Sequence, residues 1–200
     1  MSVSFEENNY AHYFHNANNA NNSIICAKHD IVLSKTSHEN EYFLKFKIYN
    51  KNINVYKFLD WNIYDLLYSL NRDILDDMKI TTEDNNTKTF SYLFKRFGKE
   101  LGILQRYLIF NIKKIILDDK NILYICRPPT TGINSYINAE PVSSNFAKFN
   151  IRVEDNHTMF ISYHYHIDLV EQLPKSMENI AGILIKKLFW RFKTFIENID

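Results

Sequence analysis

The chain has 200 residues, enough for one domain with a sizeable core. Hydrophobic residues make up 46% and aromatics 15%, while Gly and Pro number 4 each; so few glycines argue against phosphate-cradling loops and a doubly wound nucleotide fold. A net charge of +1 supplies no field toward nucleic acid, and no apolar run reaches the length of about 18 residues that suggests a membrane span.

Residues 1–22 read as a short helix and linker. Positions 6–15 carry Tyr10, Tyr13 and Phe14, and the Asn-rich stretch 16–22 is a loop. His12 and His15 have no Cys or carboxylate at ligand spacing, so they read as surface histidines. The single domain is 23–200. Residues 25–33 predict a strand with a turn inside it. In 42–49, Leu44, Phe46 and Ile48 point one way and Lys45 and Lys47 the other. The polar segment 37–40 fits a hairpin loop, and 53–59 predicts a third strand. Asp60 or Asn62 caps a helix to Leu70, with Ile63, Leu66, Leu67 and Leu70 on one face.

Strands follow at 80–82, 89–96, 103–116 and 122–126, with turns at 84–86, 98–100 and 118–121. Cys26 and Cys126 each follow an isoleucine in a strand-like run; buried free thiols are the favoured reading, with a disulfide left open. Arg127-Pro128-Pro129-Thr130-Thr131-Gly132 leaves the sheet as a loop, since two prolines and a glycine do not suit a central strand. Residues 136–138, 145–153 and 158–167 return to strand, with Asn156 in the last turn. Short turns between strands imply an antiparallel sheet.

The last stretch, 173–199, predicts a long amphipathic helix. Met177, Ile180, Ala181, Leu184, Leu188, Phe192, Phe195 and Ile199 recur mostly at steps of three or four, on one face. Pro174 suits the first turn, and Glu178 lies near the positive end of the helix dipole. From 174 to 199 the helix would run about 39 Å, and it needs a broad apolar surface to lie on. A charge at Leu184 would then enter the core. Lys186, Lys187, Arg191 and Lys193 fall on or beside the polar side; Trp190 lies off the stripe. The order of strands, one helix, many strands and one long helix is α+β.

Four segments carry a family resemblance. Asn71-Arg72-Asp73-Ile74-Leu75-Asp76 follows the first inner helix. Gln105-Arg106-Tyr107-Leu108 lies in a strand. Residues 122–127 precede Pro128-Pro129. Tyr163-His164-Tyr165-His166-Ile167-Asp168 precedes Leu173-Pro174 and the long helix. In this order and spacing they resemble a START domain, the lipid-transfer module related to steroidogenic acute regulatory protein. The first is similar to the family's Tyr-Arg-x-x-Trp-Asp, with Leu75 in place of Trp. The second is similar to its Asn-Arg-Asp-Tyr/Phe, without the Asp. The third looks like the strand entering its first omega loop. The fourth looks like its ending, with 169–172 replacing a Gly-rich turn. Among family members, the Asn-rich, AT-biased composition suggests a malaria-parasite phospholipid-transfer protein.

The resemblance implies an α+β helix-grip fold: a curved antiparallel sheet wrapped around a long C-terminal helix, with an internal lipid tunnel. The helix and the omega loop form its lid. It implies a non-enzymatic carrier that binds one phospholipid, such as phosphatidylcholine, and moves it between membranes as a monomer. No cofactor and no nucleic acid is expected. A cytoplasmic place fits, and so does a secreted or vacuolar one if a leader was removed from a longer precursor.

On this resemblance Arg72 and Asp76 are headgroup candidates, because the Arg fork suits a phosphate oxygen pair and Asp76 can hold it. The alternative is a surface ion pair at a helix end, worth at most ~1 kcal/mol. Tyr92, Tyr107, Tyr163 and Tyr165 can offer ring faces to a quaternary ammonium or fill the core with hydroxyls at its rim. The tunnel lining and lid are expected from Pro129, Ile133, Tyr163, Tyr165, Ile180, Leu184 and Leu188. His164 and His166 lack a third ligand, which favours a plain strand face over a metal site. Two further readings compete: an accessory or interaction module of the same fold with a filled core, and, behind it, a helix-grip enzyme with a catalytic group in the cavity.

Overall fold

The computed structural model describes residues 22–38, 40–96, 104–129, 136–168 and 179–200. The expected N-terminal helix, the 98–100 turn, Ile133, Pro174 and Glu178 lie outside these residues.

Strand β1 (Ser23–Lys28) turns into β2 (Ile31–Lys35) through His29 and Asp30, at φ 60° and 55°. Two consecutive positive φ values are what a type I′ hairpin requires. Strand β3 (Glu41–Tyr49) alternates as expected: Leu44, Phe46 and Ile48 are buried, Lys45 and Lys47 exposed. Residues 53–59 are not a strand. Val55–Phe58 form a 3-10 turn, because the Asn54 side chain accepts the Tyr56 N–H at 3.0 Å. The Val55 N–H donates to the Asn156 carbonyl at 2.8 Å, which docks this turn on the last hairpin. Helix α1 (Asn62–Ser69) follows, its entry fixed by the Trp61 N–H donating to Asp60 Oδ1 at 2.7 Å.

The remaining strands are β4 (Leu75–Thr82), β5 (Thr87–Phe94), β6 (Gln105–Asp118), β7 (Asn121–Arg127), β8 (Ala139–Pro141), β9 (Ser143–Asp155) and β10 (Thr158–Asp168). Residues 136–138, expected as a strand, are coil and turn; the short β8 that follows pairs parallel with β6. The sheet runs β1-β2-β3-β10-β9-β7-β6-β5-β4, antiparallel at every step of that path. Helix α2 (Ile180–Glu197) lies on its apolar face. This is the helix-grip arrangement. Among the described residues, no helix is long and apolar enough to cross a membrane.

Alternation decides which side chains meet α2. Ile161, Tyr163 and Tyr165 of β10 line up with Leu44 and Phe46 of β3 and with Phe149 and Ile151 of β9. Phe189, Phe192 and Ile196 of α2 pack into this surface, at 5%, 0% and 0% exposure. At Gly182 the helix lies close against the sheet. A Cβ there would sit 2.9 Å from Tyr42 Cδ1, so only a hydrogen fits against that buried ring.

The helix face differs from the sequence expectation. Leu184 and Phe195 are 42% and 41% exposed, while Lys186 and Lys193 are buried at 8% and 7%. Both lysines bury their stems and find partners at the sheet: Lys186 Nζ donates to Cys26 Sγ at 3.0 Å, and Lys193 Nζ to the Lys47 carbonyl at 2.9 Å. Phe192→Ala should therefore cost about 3–5 kcal/mol, whereas Leu184→Asp should stay within about 0.5 kcal/mol of the wild type. Chemical denaturation of both variants checks the orientation; an unfolded Leu184→Asp would reject it.

Candidate functional site

Between α2, α1 and the concave sheet lies a cavity of about 90 Å³. Leu67 comes from α1, Leu75 from β4, Leu108 and Phe110 from β6, Phe149 from β9, and Ile185, Leu188 and Phe189 from α2. Among the described residues, no charged side chain lines it. A water needs roughly 10–15 Å³ on this scale, so the space admits a segment of one acyl chain. It is smaller than a two-chain lipid, which carries on the order of 30 methylenes.

Among the described residues, the wall includes five with polar groups: Tyr64, Tyr92, Tyr163, Cys126 and Asn71. Burial pushes all three tyrosines well above the usual tyrosine range, and the adjoining Cys126 adds to the effect. Burial pushes the Cys126 thiol up to about 12, with the neighbouring Tyr64 hydroxyl working the other way. These groups stay neutral at physiological pH. The Tyr64 hydroxyl is buried with no hydrogen-bond partner of normal geometry. Leaving such a group unsatisfied costs about 1–3 kcal/mol. Asn71 is fully satisfied: its amide nitrogen donates to the Leu67 carbonyl at 2.8 Å, and its oxygen accepts from Arg191 at 3.2 Å.

No family profile and no curated protein matches this sequence. Solved structures match its shape. The human StarD13 (DLC2) lipid transfer and protein localization domain aligns with a TM-score of 0.71 at 10% identity, over 100% of both chains. Human StAR-related lipid transfer protein 5 gives 0.67 at 11%, over 96% of this chain and 92% of that one. Human STARD10 gives 0.63 at 11%, over 90% and 77%. This chain has the START-domain fold.

Within that START fold, the expected site residues divide. Tyr92, Tyr163 and Leu188 line the cavity. Tyr165 is buried beside Tyr163, rings 5.0 Å apart, behind the wall. Tyr107 is buried against Tyr136 and lies outside the lining, as does the half-buried Pro129. Leu184 points away, and Ile180 opens α2 without a described side chain.

Arg72 and Asp76 are exposed at the surface and do not reach the cavity. The Arg72 guanidinium stacks over Tyr68 at 4.5 Å. Asp76 pairs with Lys95 at 3.3 Å and accepts from Gln105 at 3.1 Å, and these two bonds hold its carboxyl below the usual range. The inward residues of this segment are Asn71 and Leu75, which both line the cavity. His164 is not on an open strand face: it is buried and bonded to Glu41. Among the described residues, no group of three or more His, Cys, Asp or Glu could hold a metal.

Sequence reading missed Tyr64, Asn71, Cys126 and the Phe110–Ile112 stretch of the wall. The period of two in β6 and β7 carried the signal, since Leu108, Phe110 and Ile112 share one face and Cys126 stands opposite Ile112.

The neutral cluster sets a pH dependence. An ordinary cysteine, as in the unfolded chain, ionises near 9.0, while folded Cys126 holds its proton to about 12. Between those values the folded state binds more protons, so stability falls as pH rises through that window. Denaturation across alkaline pH should show this loss, and Cys126→Ala should remove part of the slope.

Proposed function

We propose that this chain is a lipid carrier, which takes the apolar part of one lipid under α2 and moves it between membrane surfaces without bond chemistry. The observation that supports this most directly is a void, lined by no charged side chain among the described residues, where close packing would leave none. Two structures of the same fold are described as lipid transfer domains or proteins, which favours the same reading.

Phospholipid is the cargo expected from the sequence. Its phosphate belongs at the mouth of the cavity, because an unpaired charge against this wall would be too costly to bury. Loading a whole two-chain lipid calls for α2 to draw away from the sheet. Membrane contact fits Ile183 and Leu184, exposed on the first turns of α2, with Lys187 beside them; a basic residue near an anionic surface adds about 1 kcal/mol. The competing accessory module with a filled core binds no lipid at all.

Native mass spectrometry of the gently purified chain should show a co-purifying lipid mass, whose headgroup extraction identifies. The protein should also speed transfer of labelled phospholipid between vesicles. Neither a bound mass nor faster transfer would reject the carrier reading. Arg72→Leu should transfer like the wild type; a marked loss would return the phosphate to Arg72.

A further inference from the structure

The two cysteines are both free and sit in opposite surroundings. Cys126 is 3% exposed at the cavity wall. Cys26 is half-buried on β1, which is an end strand of the sheet. The β1–β2 register slips beside it: Ile24 pairs with Ser34, but Cys26 pairs with Leu33. Such a bulge re-aims the neighbouring side chain. Here Cys26 Sγ meets Lys186 Nζ of α2 at 3.0 Å.

Lys186 lies one turn after Gly182, where α2 rests on Tyr42, and is 8% exposed. Among the described residues, no carboxylate pairs with it. A buried ammonium needs an anion nearby, and the sulfur is the group placed to supply one. The titratable groups that act on Cys26 are Lys186 from α2 and Lys28 on its own strand; His29 follows in the turn, its ring tilted against that of Trp190 at 5.3 Å. From β2 its register partner is the apolar Leu33. The hydrogen bond from Lys186 draws the Cys26 thiol below its ordinary range, against the opposing effect of burial.

We propose that Cys26 is a modification site, a thiolate paired with the buried Lys186 ammonium that reacts with hydrogen peroxide and other soft electrophiles. The thiolate, not the thiol, is the nucleophile, and reactive cysteines sit in partly exposed, electropositive surroundings. With peroxide, the sulfur bonds to one oxygen as the O–O bond breaks. The departing hydroxide takes up a proton and leaves as water. Sulfur is oxidised by two electrons to the sulfenic acid, and the peroxide is reduced. With iodoacetamide, an S–C bond forms and iodide leaves. Either product is uncharged, so Lys186 loses its counter-ion where α2 meets the edge of the sheet.

Peptide-resolved mass spectrometry of the full chain, treated with iodoacetamide from mildly acidic to alkaline pH, tests this. At neutral pH Cys26 should react roughly fivefold or more faster than cysteine in a reference peptide, and Cys126 should be protected. Lys186→Met should bring Cys26 down to the peptide rate. Peroxide followed by dimedone should label Cys26 and not Cys126. A Cys26 rate at or below that of the peptide, with an ordinary thiol midpoint in the wild-type profile, overturns the proposal whether or not the variant folds. So does an unchanged rate in folded Lys186→Met. Absence of the dimedone adduct on Cys26 removes peroxide as a reagent.

Discussion

The side chain of Asn71 sits fully buried between the end of α1 and the middle of α2. Its amide nitrogen lies 2.8 Å from the Leu67 carbonyl and 3.5 Å from the Leu188 carbonyl, and its oxygen accepts from Arg191. Arg191 also forks onto Asp73, just past the same turn. At the far end, Asn50 donates to the Ile196 and Ile199 carbonyls at 2.6 and 2.7 Å. These directional bonds set the rotation of α2, which hydrophobic burial alone leaves loose. Asp73 is half exposed, so its ion pair adds little stability; its geometric effect is to choose Phe189, Phe192 and Ile196 as the inward face. The cavity depends on that choice, because Ile185, Leu188 and Phe189 form its roof.

Most of the sheet is legible in the sequence. The Lys-interrupted alternation of 42–49 and the polar pair at 29–30 carry local signals that tertiary structure obeys. The failures came where a side chain overrules hydropathy. Residues 53–59 have strand composition, but the Asn54 cap and the docking of Val55 on Asn156 turn them into a 3-10 segment. The face of α2 was misjudged because a lysine reads as solvent-facing. Lys186 and Lys193 each bury a stem and spend the ammonium on a sheet partner about 150 residues away in sequence, which no local window can see.

The candidate site was less legible than the fold. A motif can place Arg72 and Asp76 at the end of a helix, but not say on which side of the strand they emerge. Asn71 and Leu75 take the inward positions, and Arg72 and Asp76 go to solvent. Tyr92 and Tyr163 were singled out for their ring faces together with Tyr107 and Tyr165, which do not line the cavity; Tyr64 was hidden beside Ile63 on a helix whose face looked purely aliphatic. At 10–11% identity, the likeness to human lipid-transfer domains speaks for architecture. What the chain binds rests on the chemistry of its own wall.

The buried hydroxyls in and behind that wall have a thermodynamic side. The hydroxyls of Tyr64, Tyr124 and Tyr165 are all buried without partners among the described residues, although phenylalanine could occupy similar space. Each gives up hydration for little in return. Such groups make the fold less robust than its aromatic content suggests. A guest that offers an acceptor to Tyr64 would shift the folding equilibrium toward the native state by mass action, so that occupancy and survival of the fold become coupled quantities.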